Sequence, residues 1–272
     1  MSIFLATFVL GLGFIFGSFI NALVYRFKYN SVKKNITKLS IVNGRSICPN
    51  CKHQLVALDL IPLLSWIYLR GKCRYCHKSI SIQYPLVELI TALLFLFSFI
   101  YWKNGFNLLG YFQLGIWLVI LTLLITLTVY DIRWKILPSK IIYIIYPLVI
   151  LNNLIVVFSS RNYSLILGYL LGFIILGGIF YLLFQVSFGK WIGGGDVRLG
   201  FLLGLLVGGP LNSILLLFIG SIVGTFLSIP FILIGKLKKK STIPFGPFLV
   251  IGAIIVYFFG AQIINWYKSR LY

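Results

Sequence analysis

Apolar stretches of about 20 residues recur along this chain, separated by short polar breaks, and each is long enough to cross roughly 30 Å of hydrocarbon. The pattern predicts membrane-spanning helices over Ser2–Tyr25, Pro85–Trp102, Leu109–Tyr130, Ile141–Phe158, Ser164–Val186, Leu211–Ile234 and Pro244–Trp266, with a shorter run at Leu199–Val207. Nine residues at 1.5 Å each cover only ~14 Å. That run is therefore either extended by residues near Asp196 or a re-entrant piece lining a cavity. Ser2–Tyr25 has neither a basic start nor a small-residue cleavage site, and it reads as a retained span rather than a secretory signal. The one hydrophilic stretch runs from Arg26 to Tyr84. The expected fold is an all-α integral membrane protein of about eight transmembrane helices, divided into a first helix (1–25), a polar loop (26–84) and a membrane core (85–272).

Charge sets the orientation. The chain carries 24 Lys and Arg against four acidic residues, a net charge of +20. Such a balance would suit nucleic acid, but its distribution speaks for topology and for contact with membrane lipid, with no nucleic-acid partner. With eight crossings and the N-terminus outside, twenty of the basic residues fall on one side and Lys103, Arg161, Lys268 and Arg270 on the other. That asymmetry is what the positive-inside rule expects of a multi-pass protein of the cell membrane. If Leu199–Val207 does not cross, the cluster Lys236, Lys238, Lys239 and Lys240 lands outside. Eight crossings thus put the 26–84 loop in the cytoplasm, where its basic residues, Lys33, Lys34 and Lys38 among them, are expected to lie against anionic lipid.

All four cysteines lie in that loop, as Cys48-Pro-Asn-Cys51 and Cys73-Arg-Tyr-Cys76 with 21 residues between the pairs. A two-residue spacing lets paired thiolates take two corners of a tetrahedron, and two pairs complete a structural Zn–S4 site. Two disulfides are the rival reading, which a reducing cytoplasm disfavours. The two histidines, His53 and His77, follow the pairs closely. Four thiolates already fill the shell, so the histidines are expected outside it.

An apolar chain keeps few acids without a reason. Asp59 is expected to cap a helix in the loop. Glu88 has two accounts: an acid near a helix N-terminus, or a contact with substrate. Asp131 ends an apolar run and Asp196 closes Gly193-Gly194-Gly195-Asp196, and two crossings return both to the same side. Taken singly, Asp131 is an interfacial partner for Arg133 or Lys135, and Asp196 an N-cap. Together they suit the two-carboxylate chemistry of an aspartyl protease: the pair shares a proton, the ionised member activates water and the protonated member polarises the peptide carbonyl. Glycines 193–195 are read as substrate-binding, through close backbone approach or positive φ. No Lys-Ser/Thr follows them as in a phosphate-binding loop.

The chain resembles the type IV prepilin peptidases, membrane aspartyl proteases with a Gly-x-Gly-Asp motif. The resemblance runs through Gly17-Ser18-Phe19-Ile20-Asn21, Tyr25-Arg26, both cysteine pairs, Asp59 to Trp66, Leu69 to Arg74, Tyr84-Pro85-Leu86-Val87-Glu88, Asp131, Gly193 to Leu199 and Pro244 to Phe248. It departs at Leu137-Pro138-Ser139, commonly Ile-Pro-Asp, at Gln83, often Arg, and at Arg198, frequently Lys. The resemblance implies Asp131 and Asp196 as catalytic residues and cleavage of a short basic leader from prepilins or pseudopilins at the cytoplasmic face, typically after Gly and before a Phe-like residue. It also implies N-methylation of the new N-terminus with S-adenosylmethionine, for which the chain shows no glycine-rich fingerprint. A transporter or a non-enzymatic assembly scaffold are the competing classes. The first would show midplane polar residues and a repeat, and the second would not need both aspartates.

Overall fold

A computed structural model describes residues 3–32, 45–234 and 243–271, with side chains except at 32, 231, 232 and 271. Lys33, Lys34, Lys38 and the cluster at 236–240 lie outside the described residues. The chain is helical: α1 Ile3–Val32, α2 Leu64–Tyr68, α3 Gln83–Ile100, α4 Leu108–Trp134, α5 Ser139–Ser160, α6 Ser164–Val186, α7 Gly194–Val207, α8 Pro210–Leu233 and α9 Gly246–Leu271. Seven of these (α1, α3, α4, α5, α6, α8 and α9) are long and apolar enough to span a membrane. Exposed Phe8, Ile15, Leu182 and Phe226 suit a lipid solvent rather than water.

The short run is longer than its apolar residues indicate. Helix α7 begins at Gly194, so its 14 residues rise about 21 Å, still less than the ~30 Å core. Its last carbonyls are not left to lipid. The Asn153 Nδ2 of α5 donates to Leu205 O at 2.9 Å, and the Asn212 Nδ2 of α8 donates to Val207 O at 3.1 Å. Gly208 and Gly209 then turn the chain with φ of 61° and 78°. Helices α6 and α7 touch backbone to backbone: a Cβ on Gly172 would lie 2.5 Å from Gly204 O, and one on Gly204 would lie 2.2 Å from Gly172 O. Only paired small residues permit that approach.

Two compact units divide the chain, Met1–Trp102 and Lys103–Tyr272. Helix α3 falls within the first of them. Helix α3, assigned from sequence to the membrane core, instead packs along α1, because Gly13 and Gly17 leave room for the backbone of Ala92 and Glu88. In the second unit α4 to α9 bury Trp117, Ile120, Leu121, Leu124 and Phe180.

Candidate active site and cysteine module

In the second unit one helix end and two helix starts converge. Asp131 lies in the last turn of α4, which Lys135 ends with a φ of 53°, and Asp196 lies in the first turn of α7. The carboxylates are close enough for Asp196 to act electrostatically on Asp131. Asp131 is 5% exposed, and its Oδ2 has no hydrogen-bond partner among the described residues. The Gly246 amide, first of α9, faces this carboxylate, and a Cβ on Gly246 would sit 2.7 Å from Oδ2. Asp196 Oδ2 accepts from the Gly193 amide at 3.3 Å. Each acid thus lies at a helix N-terminus, whose partial positive charge offsets their mutual repulsion.

The glycines act by size. None of Gly193, Gly194 and Gly195 has positive φ, and Gly193 sits at an extended φ of −77°, so the alternative of a left-handed backbone falls away. Gly195 is pressed on the α4–α5 connection, where its Cβ would lie 2.9 Å from Leu137 Cβ, while a Cβ on Gly194 would meet only Phe184 Cε2, at 4.0 Å. Beyond Asp196, Arg198 Nη1 donates to Ser139 Oγ, and Tyr146 Oη donates to Arg198 O at 3.1 Å. The role of Tyr146 carries no sequence signal of its own, while Gly246 lies in a stretch that matches the family and Leu137 in one that departs from it. Ser139 and Arg198 carried one, as departures from the family pattern.

In the first unit the four cysteines meet. Their Sγ atoms all lie within 4.8 Å of one another, with Cys48 and Cys76 at 4.0 Å, and none is in a disulfide. Tetrahedral Zn–S bonds of about 2.3 Å require S···S distances of about 3.8 Å, so the thiols are gathered to fit a zinc ion. The two pairs are built alike. Cys48 N donates to His53 O and Cys73 N to Lys78 O, both at 2.9 Å, and the residue after each second cysteine, Lys52 and His77, has a φ of 60° and 56°. The Cys48 thiol sits at about 7: burial pushes it up, but the Cys51 and Asn50 amides and the Cys51 and Cys73 thiols draw it down further. His53 stacks on Tyr75 at 3.7 Å and lies outside the cluster.

Asp59 and Glu88 fasten this module. Asp59 accepts from the Val56 amide of a 3-10 turn, Ala57–Leu60, and pairs with Arg74 of the second knuckle at 2.7 Å. Buried Glu88 accepts from the Leu63 amide at 2.7 Å, with the Ser18 hydroxyl as a second donor, and so holds Leu63 at a φ of 61°. Of the two accounts of Glu88, the geometry supports the structural one. Glu88→Gln keeps an acceptor for Leu63 and is expected to leave the loop folded. Glu88→Ala strands that amide at about 1–3 kcal/mol, and limited proteolysis between residues 56 and 70 should accelerate.

Comparison with known proteins agrees with this division. Residues 11–102 match a family model described as the bacterial peptidase A24 N-terminal domain, and residues 118–229 one described as the type IV leader peptidase family. Over 251 residues the chain is 33% identical to a prepilin leader peptidase/N-methyltransferase of Aeromonas hydrophila, covering 90% of this chain and 83% of the relative. A relative of the same name from Bacillus subtilis is 32% identical over 259 residues, covering 95% and 98%, and one from Legionella pneumophila is 32% identical over 270 residues, covering 92% and 90%. No solved structure matches the chain.

Proposed function

The chain belongs to the type IV leader peptidase family, and we propose that Asp131 and Asp196 are the carboxylates with which it cleaves the short basic leader from type IV prepilins or pseudopilins. The observation that carries the reading is that two of the chain's four acidic residues, 65 positions apart in sequence, lie near enough for Asp196 to act electrostatically on Asp131. One carboxylate, ionised, takes a proton from a water poised to attack the scissile carbonyl. The other, protonated, gives its proton to the carbonyl oxygen and takes one back as the tetrahedral intermediate collapses, while the first passes the proton it took from water to the leaving amine. No covalent intermediate is required. The charge asymmetry supports a cytoplasmic site in the cell (inner) membrane.

Zinc held by Cys48, Cys51, Cys73 and Cys76 fixes the loop and takes no part in hydrolysis. Methyl transfer from S-adenosylmethionine to the new N-terminus belongs to the proposal on the relatives' names alone, and no residue is assigned to it.

Gly193, Gly194 and Gly195 line the path of an extended substrate. Gly194 and Gly195 then separate two effects. Gly194→Val meets little in the fold, so its loss of cleavage should fall mainly in KM, with thermal stability retained. Gly195→Val drives into Leu137. Overpacking of this kind costs typically ~1–3 kcal/mol, and displacing Asp196 by about 1 Å should lower kcat on the order of 100-fold. Steady-state kinetics and melting curves of both variants check this. The activity itself is tested by incubating purified protein with a synthetic prepilin and reading the product N-terminus by mass spectrometry, with and without S-adenosylmethionine. Cleavage at another bond, or none, overturns the reading.

A further inference from the structure

Arg198 stands two residues beyond Asp196 and is not needed for the hydrolysis just described, yet α5 holds it at two points. Ser139, the first residue of α5, accepts from its guanidinium, and Tyr146, two turns further on, donates to its carbonyl oxygen at 3.1 Å. Both contacts reach α7 within one turn of Asp196. The connection that leads into Ser139 also supplies Leu137, against which Gly195 is pressed, and begins four residues after Asp131 with left-handed Lys135. One short stretch of chain, 135 to 139, therefore links the end of the helix carrying Asp131 to the start of the helix carrying Asp196. The side chain of Arg198 spans that link.

We propose that Arg198 is a positioning residue, whose bond to Ser139 sets the rotation of the first turn of α7 and with it the approach of the Asp196 carboxylate to Asp131. The physical need is clear from the helix start. A first turn has four amides without intrahelical partners, and here the flanking Gly193 to Gly195 offer no side chain to lock the turn in place. The Asp196 carboxylate reaches back to Gly193 at a long 3.3 Å. The neighbouring helix must then supply the rigidity, and a guanidinium anchored at one end and a carbonyl anchored at the other give two fixed points on one residue. Positions 139 and 198 are both among those at which the chain departs from the family's usual residues, and in the fold they are partners. A lysine facing an acid would make the same kind of contact, so the two positions are tested as one unit.

This inference rests on Asp131 and Asp196 being the catalytic pair, and its test has an arm that does not. Cleavage of a synthetic prepilin and amide exchange of residues 195–197 in nanodiscs are compared for Arg198→Ala, Ser139→Ala, their double variant and Arg198→Lys/Ser139→Asp. Arg198→Ala is expected to lower kcat about tenfold with KM within about twofold, and to speed exchange of the first turn of α7. The double variant should be no worse than Arg198→Ala alone, because the two residues make one interaction. The Lys/Asp variant should restore kcat to within about threefold and slow the exchange again. Losses that multiply in the double variant, a loss confined to KM, or exchange that does not respond would overturn the proposal. Retained cleavage in Asp131→Asn is a different failure, of the catalytic pair, and in that event amide exchange still decides whether Arg198 holds the turn.

Discussion

Asp131→Asn and Asp196→Asn are each expected to abolish leader cleavage while leaving expression and membrane insertion intact. An asparagine matches the shape of aspartate but can neither take a proton from water nor share one with its partner. General acid–base assistance alone is worth typically about 10²–10⁴ in rate, so either change should bring turnover below detection in an ordinary assay. The fold should tolerate both. Asp131 Oδ2 makes no hydrogen bond that an amide would lose, and an asparagine at 196 keeps an oxygen for the Gly193 amide. Each variant is to be purified in detergent, its melting curve compared with the parent, and its cleavage followed over hours. Full folding with lost cleavage in both is the expected pair of results. Cleavage retained by either single variant sinks the assignment.

The second large effect concerns the cysteine module. Elemental analysis of the purified protein should give close to one zinc per chain. Cys→Ser at 48, 51, 73 or 76, or stripping with a chelator, should unfold the segment from 45 to 82. No β-sheet or sizeable core holds that segment. Among the described residues it is held by two isolated bridges, Ile47 with Gln54 and Lys72 with Ser79, by the short helical turns at Ala57–Leu60 and Leu64–Tyr68, by the Trp66 Nε1 bond to Ile80 O at 3.2 Å, and by the ties at Asp59 and Glu88. In such small modules metal binding supplies folding energy, apparently about 10–16 kcal/mol in zinc-finger peptides. Protease digestion with mapped cut sites reads the effect directly. Cuts confined to 45–82 after zinc removal are expected. A protein without metal, or one with native disulfides, rules the site out.

Much of this protein is legible in its sequence because lipid is an exacting solvent. A segment in hydrocarbon must satisfy its backbone internally and present apolar side chains for its whole length, so α6 is found at the residues its apolar run predicts, Ser164–Val186, and the other long helices lie close to theirs, except that α1 continues past the expected end at Tyr25 to Val32. The cysteine pairs are legible for a related reason, since two-residue spacing is a local geometric requirement. Asp131 and Asp196 stand out by scarcity, four acids in 272 residues. Each of these signals is complete within a stretch of chain.

Other features depended on partners far away in sequence. The start of α7 at Gly194 is hidden because glycines favour no helix, and its end beneath Asn153 and Asn212 is settled by an acceptor 52 residues from its donor. The Arg198–Ser139 contact joins residues 59 apart, and Glu88 finds its role at an amide 25 residues earlier. Helix α3 reads from composition as one more span, and only its groove-filling contact with Gly13 and Gly17 assigns it to the first unit. Gly195 was expected to contribute either conformation or size. It has no positive φ and is pressed on Leu137, so within the fold it supplies size. Composition and spacing by themselves determined which segments are long and apolar enough to enter the membrane and which side chains are the candidates for chemistry, because burial in lipid and ligand geometry act on each segment alone. How the two aspartates are brought together and held was decided only by tertiary structure, because a contact between distant segments leaves no periodic trace in either.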